Sequence, residues 1–380
     1  MKLRVAVGVI ISGIFIFLAF RQVDLRDMAV ALKSANYWWL LPALIFMFTS
    51  HGLRARRWGY FLKPITSVKL HPLFSALMIG YAANNVFPLR LGEFLRAFAI
   101  GKSAGLSKSS AFATVIVERL IDVLTLLIIL AATILIYPLP DLIKNSGYVI
   151  FAFTVAVIVL MVFLMEKTEG TIAVMRSLAV TLPHKLFNGL RALFTAILGK
   201  SRFEATLAAP FESVLVTLPS KSFELVQKVV RSFLQGFIVF KKSEDFLSIL
   251  LVSILIWVLY AGVILLAFYA FDFQDKYNLG LVSSLVVLVT ISIGIMIPSS
   301  PGFVGTYHFF CMVSLKLYGV PQSEALSFAV ISHAVNFIPA TLVGLVYFWR
   351  ENLHFSDAVA ERELVEHEAE EQKVPGVIES

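Results

Sequence analysis

Residues 73–96 read LFSALMIGYAANNVFPLRLGEFLR. The apolar part, Leu73 to Phe87, has 15 residues. As a helix it reaches about 22 Å, short of the roughly 30 Å hydrocarbon core of a bilayer. It ends in Asn84-Asn85-Val86-Phe87-Pro88, and a second short helical stretch runs through Arg90, Gly92 and Glu93 to Gly101. Non-helical backbone at membrane depth survives only where protein or a wet cavity satisfies it. The stretch therefore predicts a re-entrant helical hairpin with a broken, polar tip. A second one follows the same pattern: Leu279 to Ile297 breaks at Pro298-Ser299-Ser300-Pro301-Gly302 and resumes from Phe303 to Tyr318.

The composition supports a membrane setting. Of 380 residues, 58% are hydrophobic and 15% charged, and the mean hydropathy is +0.84. Ordinary soluble domains carry about 25% charged residues. A soluble fold could not bury so much apolar surface, so the fold class is an all-α polytopic membrane protein. The single cysteine, Cys311, excludes an internal disulfide framework and cysteine-based metal sites. The net charge of +7 is uneven: residues 351–380 hold nine acids and two bases, so the rest of the chain carries +14. This acidic segment reads as a disordered cytoplasmic tail. The basic excess is a matter of membrane orientation, not of nucleic-acid binding.

Further apolar runs span Val5–Phe20, Trp38–Leu53, Ser110–Tyr137, Gly147–Met165, Phe246–Phe271 and Ala325–Trp349. The first could be a signal peptide, but no small-x-small cleavage site follows it, so it reads as an uncleaved helix. With both termini cytoplasmic and both hairpins re-entering on the side they came from, 23 of the 32 Lys and Arg fall on the cytoplasmic side and five outside. About six full spans plus two hairpins thus satisfy the positive-inside rule; eight full spans are the alternative. Arg54, Arg56 and Arg57 read as topology anchors at a span end, and His51 as interfacial.

The hairpins resemble each other. Pro88, Gly92, Gly105, Ser109 and Ala111 match Pro301, Gly305, Gly319, Ser323 and Ala325. The copies, around 73–137 and 279–349, enter from opposite sides in this topology, which makes them an inverted repeat of the transporter type. Together they belong to a membrane domain of residues 1–350. Within it, 166–245 repeats Val180-Thr181-Leu182-Pro183 as Val216-Thr217-Leu218-Pro219. This segment predicts amphipathic helices on the cytoplasmic surface.

Six ionisable residues crowd the first hairpin and the span after it: Arg90, Glu93, Arg96, Glu118, Arg119 and Asp122. Facing lipid, they would cost roughly 15 kcal/mol or more together on the insertion scale. They must pair, line a cavity or lie near the interface. Glu118 and Asp122, four residues apart, share one helix face, and Arg119 reaches Asp122. One reading is an ion-pair lock of Glu93 with Arg96 or Arg119 and Asp122 with Arg119. The other is a polar chamber in which the helix start at Gly92, with Arg90 and Arg96, holds a phosphate. His308 and His333 read as hydrogen-bonded interior residues. No phosphate-binding glycine loop, serine-nucleophile elbow or metal-type His/Glu spacing is present, so neither a cofactor nor a metal is expected.

The motifs Asn85-x-x-Pro88-x-Arg90-x-Gly92-Glu93-x-x-Arg96, Glu118-Arg119-x-x-Asp122 and Pro298-x-x-Pro301-Gly302-x-x-Gly305 resemble those of a known family. It is the lysylphosphatidylglycerol synthase transmembrane region, also called flippase-like or UPF0104. The resemblance covers roughly residues 5–350. It implies a multi-pass protein of a bacterial or archaeal cell membrane that moves a phospholipid or polyprenyl-linked lipid between leaflets. A lipid- or glycan-synthesising enzyme is an expected partner. Only the acidic tail follows Trp349, so the enzymatic half of the name is not expected to carry over. The expected substrate-binding residues are Asn84, Asn85, Arg90, Glu93, Arg96, Glu118, Arg119, Asp122, Gly302, Gly305 and His308. Family members often carry a glutamate shortly after the second glycine of the Pro-Gly-x-x-Gly segment. Here Thr306-Tyr307-His308 stands there, which implies a different or pH-sensitive substrate. A membrane-embedded lipid transferase or hydrolase, an ion-coupled solute carrier and a scaffold for a synthase remain as alternatives.

Overall fold

A computed structural model describes residues 2–21, 23–87, 91–106, 108–136, 245–297 and 299–351, with scattered residues between 145 and 191. The chain divides into two compact units, residues 1–155 with 236–353 and residues 156–235 with 354–380. All elements named below belong to the first. Arg90, Pro88, Pro298, most of the expected cytoplasmic platform and the acidic tail beyond 351 lie outside the described residues.

The described residues form helices and turns, with no β-strand among them. In chain order the helices are α1 (Lys2–Phe20), α2 (Leu25–Ser34), α3 (Leu40–Leu62), α4 (Leu70–Val86), α5 (Gly92–Ala104) and α6 (Lys108–Ile136). Then come α7 (Phe246–Ala270), α8 (Phe273–Tyr277), α9 (Leu281–Gly294), α10 (Thr306–Lys316) and α11 (Gln322–Arg350). Helices α7 and α11 are long and apolar enough to cross a membrane.

Two elements differ from the sequence reading. The segment before Trp38, expected as a connection outside the membrane, contains α2. Asp24 starts that helix by accepting hydrogen bonds from the Arg26 and Asp27 amides at 2.7 and 3.3 Å, as a capping carboxylate does. The span expected to end at Leu53 continues as α3 to Leu62. After Pro42 no proline interrupts it before Pro64, which disfavours helix at the residue ahead of it. Arg54 and Arg57 therefore sit inside a helix and not in a surface loop.

Helices α4 and α5 are the arms of the first hairpin, and α9 and α10 those of the second. Small residues set how closely they pack. A Cβ on Gly92 would overlap the Gly80 carbonyl oxygen of the opposing arm, and one on Gly344 of α11 would overlap the Met78 carbonyl of α4. The second arm of each hairpin ends alike. Gly105 (φ 65°) and Gly319 (φ 75°) take the left-handed conformation, which favours glycine at a helix end. Leu106 and Val320 each donate an amide hydrogen bond five residues back, to Gly101 at 3.0 Å and Leu315 at 3.4 Å.

The apolar core joins α6, α7, α9, α10 and α11. At its centre the Phe273 ring stacks on Phe328, with centroids 5.5 Å apart, and Phe268 packs on the same ring at 5.3 Å. Offset and tilted ring pairs of this kind add to the area they bury. A smaller cluster of Ala43, Met47, Val263 and Val335 fixes α3 against α7 and α11. Helix α11 carries Pro339 in its interior.

Candidate functional site

Helix α3 places Ser50, His51, Arg54, Arg57, Trp58 and Phe61 on its buried side, following the helical spacing of three and four. Arg56 points the other way, is exposed, and donates to the Tyr60 hydroxyl at 3.2 Å. The expectation of three equivalent topology anchors is thus corrected: Arg56 alone is on the surface. His51, expected at the interface, is also buried, its ring 4.7 Å from that of Tyr81 on α4.

Arg54 and Arg57 meet the carboxylates of α6. Arg54 Nη2 lies 2.7 Å from Glu118 Oε1 and 2.6 Å from Asp122 Oδ2. Arg57 Nη2 lies 2.6 Å from Asp122 Oδ1, and its Nη1 donates to Ser253 on α7 at 2.9 Å. Arg54 Nη1 donates to the Tyr260 hydroxyl, also on α7, at 3.2 Å. From the first hairpin, Arg96 of α5 pairs with the other oxygen of Glu118. The Arg96 guanidinium stacks 3.8 Å above the Trp58 ring, whose Nε1 donates to Thr114 at 2.9 Å. A cation over an indole face is attracted by the ring quadrupole, more so when desolvated. Arg119 sits at the edge, 3.9 Å from Glu93 and 3.7 Å from Asp122.

The pairs expected from sequence, Arg119 with Glu93 and with Asp122, are present as the longest contacts of a larger network whose shorter pairs were not expected. Glu118, which is fully buried, takes Arg54 on one oxygen and Arg96 on the other. Asp122 takes Arg54 and Arg57, with Arg119 more distant. The two strongest partners of Asp122 come from α3. Their i, i+3 spacing on a face shared with Ser50 and His51 was the signal for them, beside two carboxylates that needed cations.

The charges do not balance. Among the described residues of this group, four guanidiniums face three carboxylates. Arg96 Nε and Nη1, Arg57 Nε and Arg119 Nε are buried without a hydrogen-bond acceptor, against one carboxylate oxygen, Glu93 Oε2, buried without a donor. Each such unmet donor costs about 1–3 kcal/mol. Guanidinium donors left over in a net-positive buried site match a phosphate or another oxyanion.

The remaining expected residues fall into two further places. Asn84 Oδ1 accepts the Gly92 amide at 2.9 Å and so ties the start of α5 to α4. Replacing Asn84 by Ala leaves that amide unpaired, and the expected loss is about 1–2 kcal/mol of stability, read from unfolding in detergent. Asn85 Nδ2 donates to Thr341 Oγ1 of α11 at 2.7 Å. Gly302, Gly305 and His308 gather at the second hairpin. The Gly302 carbonyl accepts from His333 Nε2 at 2.8 Å, and the Gly305 amide donates to His308 Nδ1 at 3.3 Å. The single chamber expected between the hairpins is thus two groups: a charged one among α3, α5, α6 and α7, and a neutral one on α10 and α11. No cluster of three or more His, Cys, Asp or Glu suited to a metal occurs among the described residues.

Relatives align with most of the chain. A UPF0104 membrane protein of Methanothermobacter thermautotrophicus is 25% identical over 91% of this chain and 95% of its own length. A UPF0104 membrane protein of Methanocaldococcus jannaschii is 21% identical over the same shares, 91% and 95%. The glycosyltransferase AglD of Haloferax volcanii is 25% identical over 98% of this chain and 59% of its own length. That match overturns the expectation that the enzymatic half of the family's name has no bearing here, because a protein named as an enzyme contains a region aligned with nearly all of this chain. No solved structure matches the chain significantly. Residues 5–344 match the family described as the lysylphosphatidylglycerol synthase TM region. With the helical fold, the apolar spans and the motifs in order, the chain is a membrane protein belonging to that family.

Proposed function

We propose that this protein is a lipid translocase of the cytoplasmic membrane, in which a lipid headgroup enters the charged group while its acyl or prenyl tails stay in the bilayer. The observation that carries this reading is the surplus of guanidinium over carboxylate groups, with buried unmet donor atoms, inside a membrane domain. Buried charge in a membrane domain is expensive and marks substrate pathways. Arg96 and Arg119 take the phosphate; Glu93, Glu118 and Asp122 balance the arginines. Arg54 and Arg57, each paired to both Glu118 and Asp122, hold the frame. The alike arms and glycine caps of the two hairpins support a repeat; an inverted arrangement with about six spans and both termini cytoplasmic is part of the proposal.

The test is leaflet exchange of labelled phospholipid in vesicles containing the purified protein. Arg119→Gln is expected to lower the exchange rate at least tenfold, while Arg56→Gln leaves it unchanged. Exchange no faster than in protein-free vesicles overturns the proposal. The name of the Haloferax relative favours a second reading, a membrane-embedded role in glycosyl transfer to lipid. A glycolipid product formed without leaflet exchange would select it.

A further inference from the structure

Phosphate capture by the arginine group leaves the neutral group on the second hairpin, where the sequence placed Gly302, Gly305 and His308 at the substrate, without a defined part. Its members are Tyr307 and His308 on α10, His333 and Ser332 on α11, and the backbone of Gly302 and Gly305. The rings stand together: Tyr307 stacks on His333 with centroids 4.7 Å apart, and His308 meets His333 edge-on at 5.0 Å. The Tyr307 hydroxyl and Ser332 Oγ lie 3.2 Å apart.

Hydrogen bonding fixes what these rings offer. A backbone amide only donates, so His308 Nδ1, which receives the Gly305 amide, is unprotonated and Nε2 carries the hydrogen. A carbonyl only accepts, so His333 Nε2 carries the hydrogen toward Gly302, and Nδ1 is an acceptor. The site thus presents a ring N–H donor, a ring-nitrogen acceptor, a phenol oxygen and flat aromatic faces. Among the described residues none of its members is a carboxylate, and from Leu279 through Ser323 the sequence holds neither Asp nor Glu. A cationic headgroup would find ring faces here but no carboxylate to form an ion pair with. Hydroxyl groups, which both donate and accept, and the C–H faces of a polyol or sugar match it.

The two groups are linked through α11. Asn85, at the tip of the first hairpin, bonds Thr341, and His333 on α11 bonds Gly302 at the tip of the second. His333, Phe337 and Thr341 follow at intervals of four, along one face of that helix.

Resting on the translocase reading, we infer that the second hairpin selects the headgroup, and that the substrate class is a phosphodiester carrying an uncharged polyhydroxyl group. The hydroxyls meet Tyr307, His308 and His333. A glycerophospholipid with a polyol headgroup and a polyprenyl phosphosugar share this chemistry.

The full chain in phosphatidylcholine vesicles is assayed with labelled phosphatidylglycerol, a polyprenyl phosphoglucose, lysyl-phosphatidylglycerol and phosphatidylethanolamine. Either polyhydroxyl lipid is expected to exchange at least tenfold faster than both amine-bearing ones, and which of the two wins identifies the source. Equal or faster exchange of the amine-bearing lipids overturns the inference and leaves the translocase standing. Tyr307→Phe, which removes one oxygen, is expected to lower exchange of the preferred lipid several-fold. His308→Glu is expected to shift preference toward lysyl-phosphatidylglycerol by tenfold or more. Unchanged selectivity in the variants that fold overturns the inference. If no lipid exchanges, the translocase reading fails, and thermal shifts with the same four lipids decide this one. A larger shift with the polyhydroxyl lipids supports it, and no difference ends it.

Discussion

Glu118→Ala is expected to unfold the first unit or leave it unstable by about 3–5 kcal/mol, the cost of stripping one partner from a buried ion network. The carboxylate bridges Arg54 of α3 to Arg96 of α5, so its loss strips buried Arg96 of its carboxylate partner and leaves Arg54 with Asp122. Glu118→Gln keeps the shape and loses the charge, and it is expected to fall between the wild type and the alanine variant. Thermal unfolding in a fixed detergent, followed by helical circular dichroism, measures both. A wild-type midpoint for Glu118→Ala would show that the network contributes nothing to stability. For this reason Arg119 at the rim, and not Glu118, is the clean position for testing transport.

Gly92→Ala is expected to separate the arms of the first hairpin. The new Cβ would meet the Gly80 carbonyl and the Asn84 side chain, neither of which can yield without moving backbone or breaking the cap on α5. Overpacking of this kind costs about 1–3 kcal/mol and more where backbone is struck. Arg96 lies about one turn further along α5, so the displacement also pulls its guanidinium from Glu118 and Trp58. Loss of transport together with a lowered midpoint is the expected pair of results. Gly13→Ala, where a Cβ meets nothing, serves as the control.

The long elements are legible because one physical signal dominates each. Apolar runs of membrane length place α6, α7 and α11 to within three residues at either end. The spacing of Glu118 and Asp122 puts both on one face of α6, and both do face the arginines. The identity of those arginines is not legible in the same way. An arginine at the end of an apolar run has the same sequence signature whether it anchors a span in water or enters a buried network. Only the packing of α3 on α6 and α7 separates Arg54 and Arg57 from Arg56. Helix α2 escapes a hydropathy reading because its ten mixed residues give no apolar signal, and its start depends on one capping side chain. The split into a charged and a neutral group is invisible in sequence because it depends on which helices the two hairpin tips touch.

Helix α11 is a common axle for both hairpins. The second hairpin is fastened to it at His333 and the first at Thr341, and Pro339 lies between these two points. A proline there removes one backbone hydrogen bond and crowds the preceding turn, so the helix bends more readily at that place than elsewhere. A change of bend alters the distance between the two tips without breaking either fastening. Sliding one hairpin alone would break the bond of Asn85 to Thr341 or that of His333 to Gly302. Flexing of α11 at Pro339 is therefore the expected way for the placement of the two tips to change.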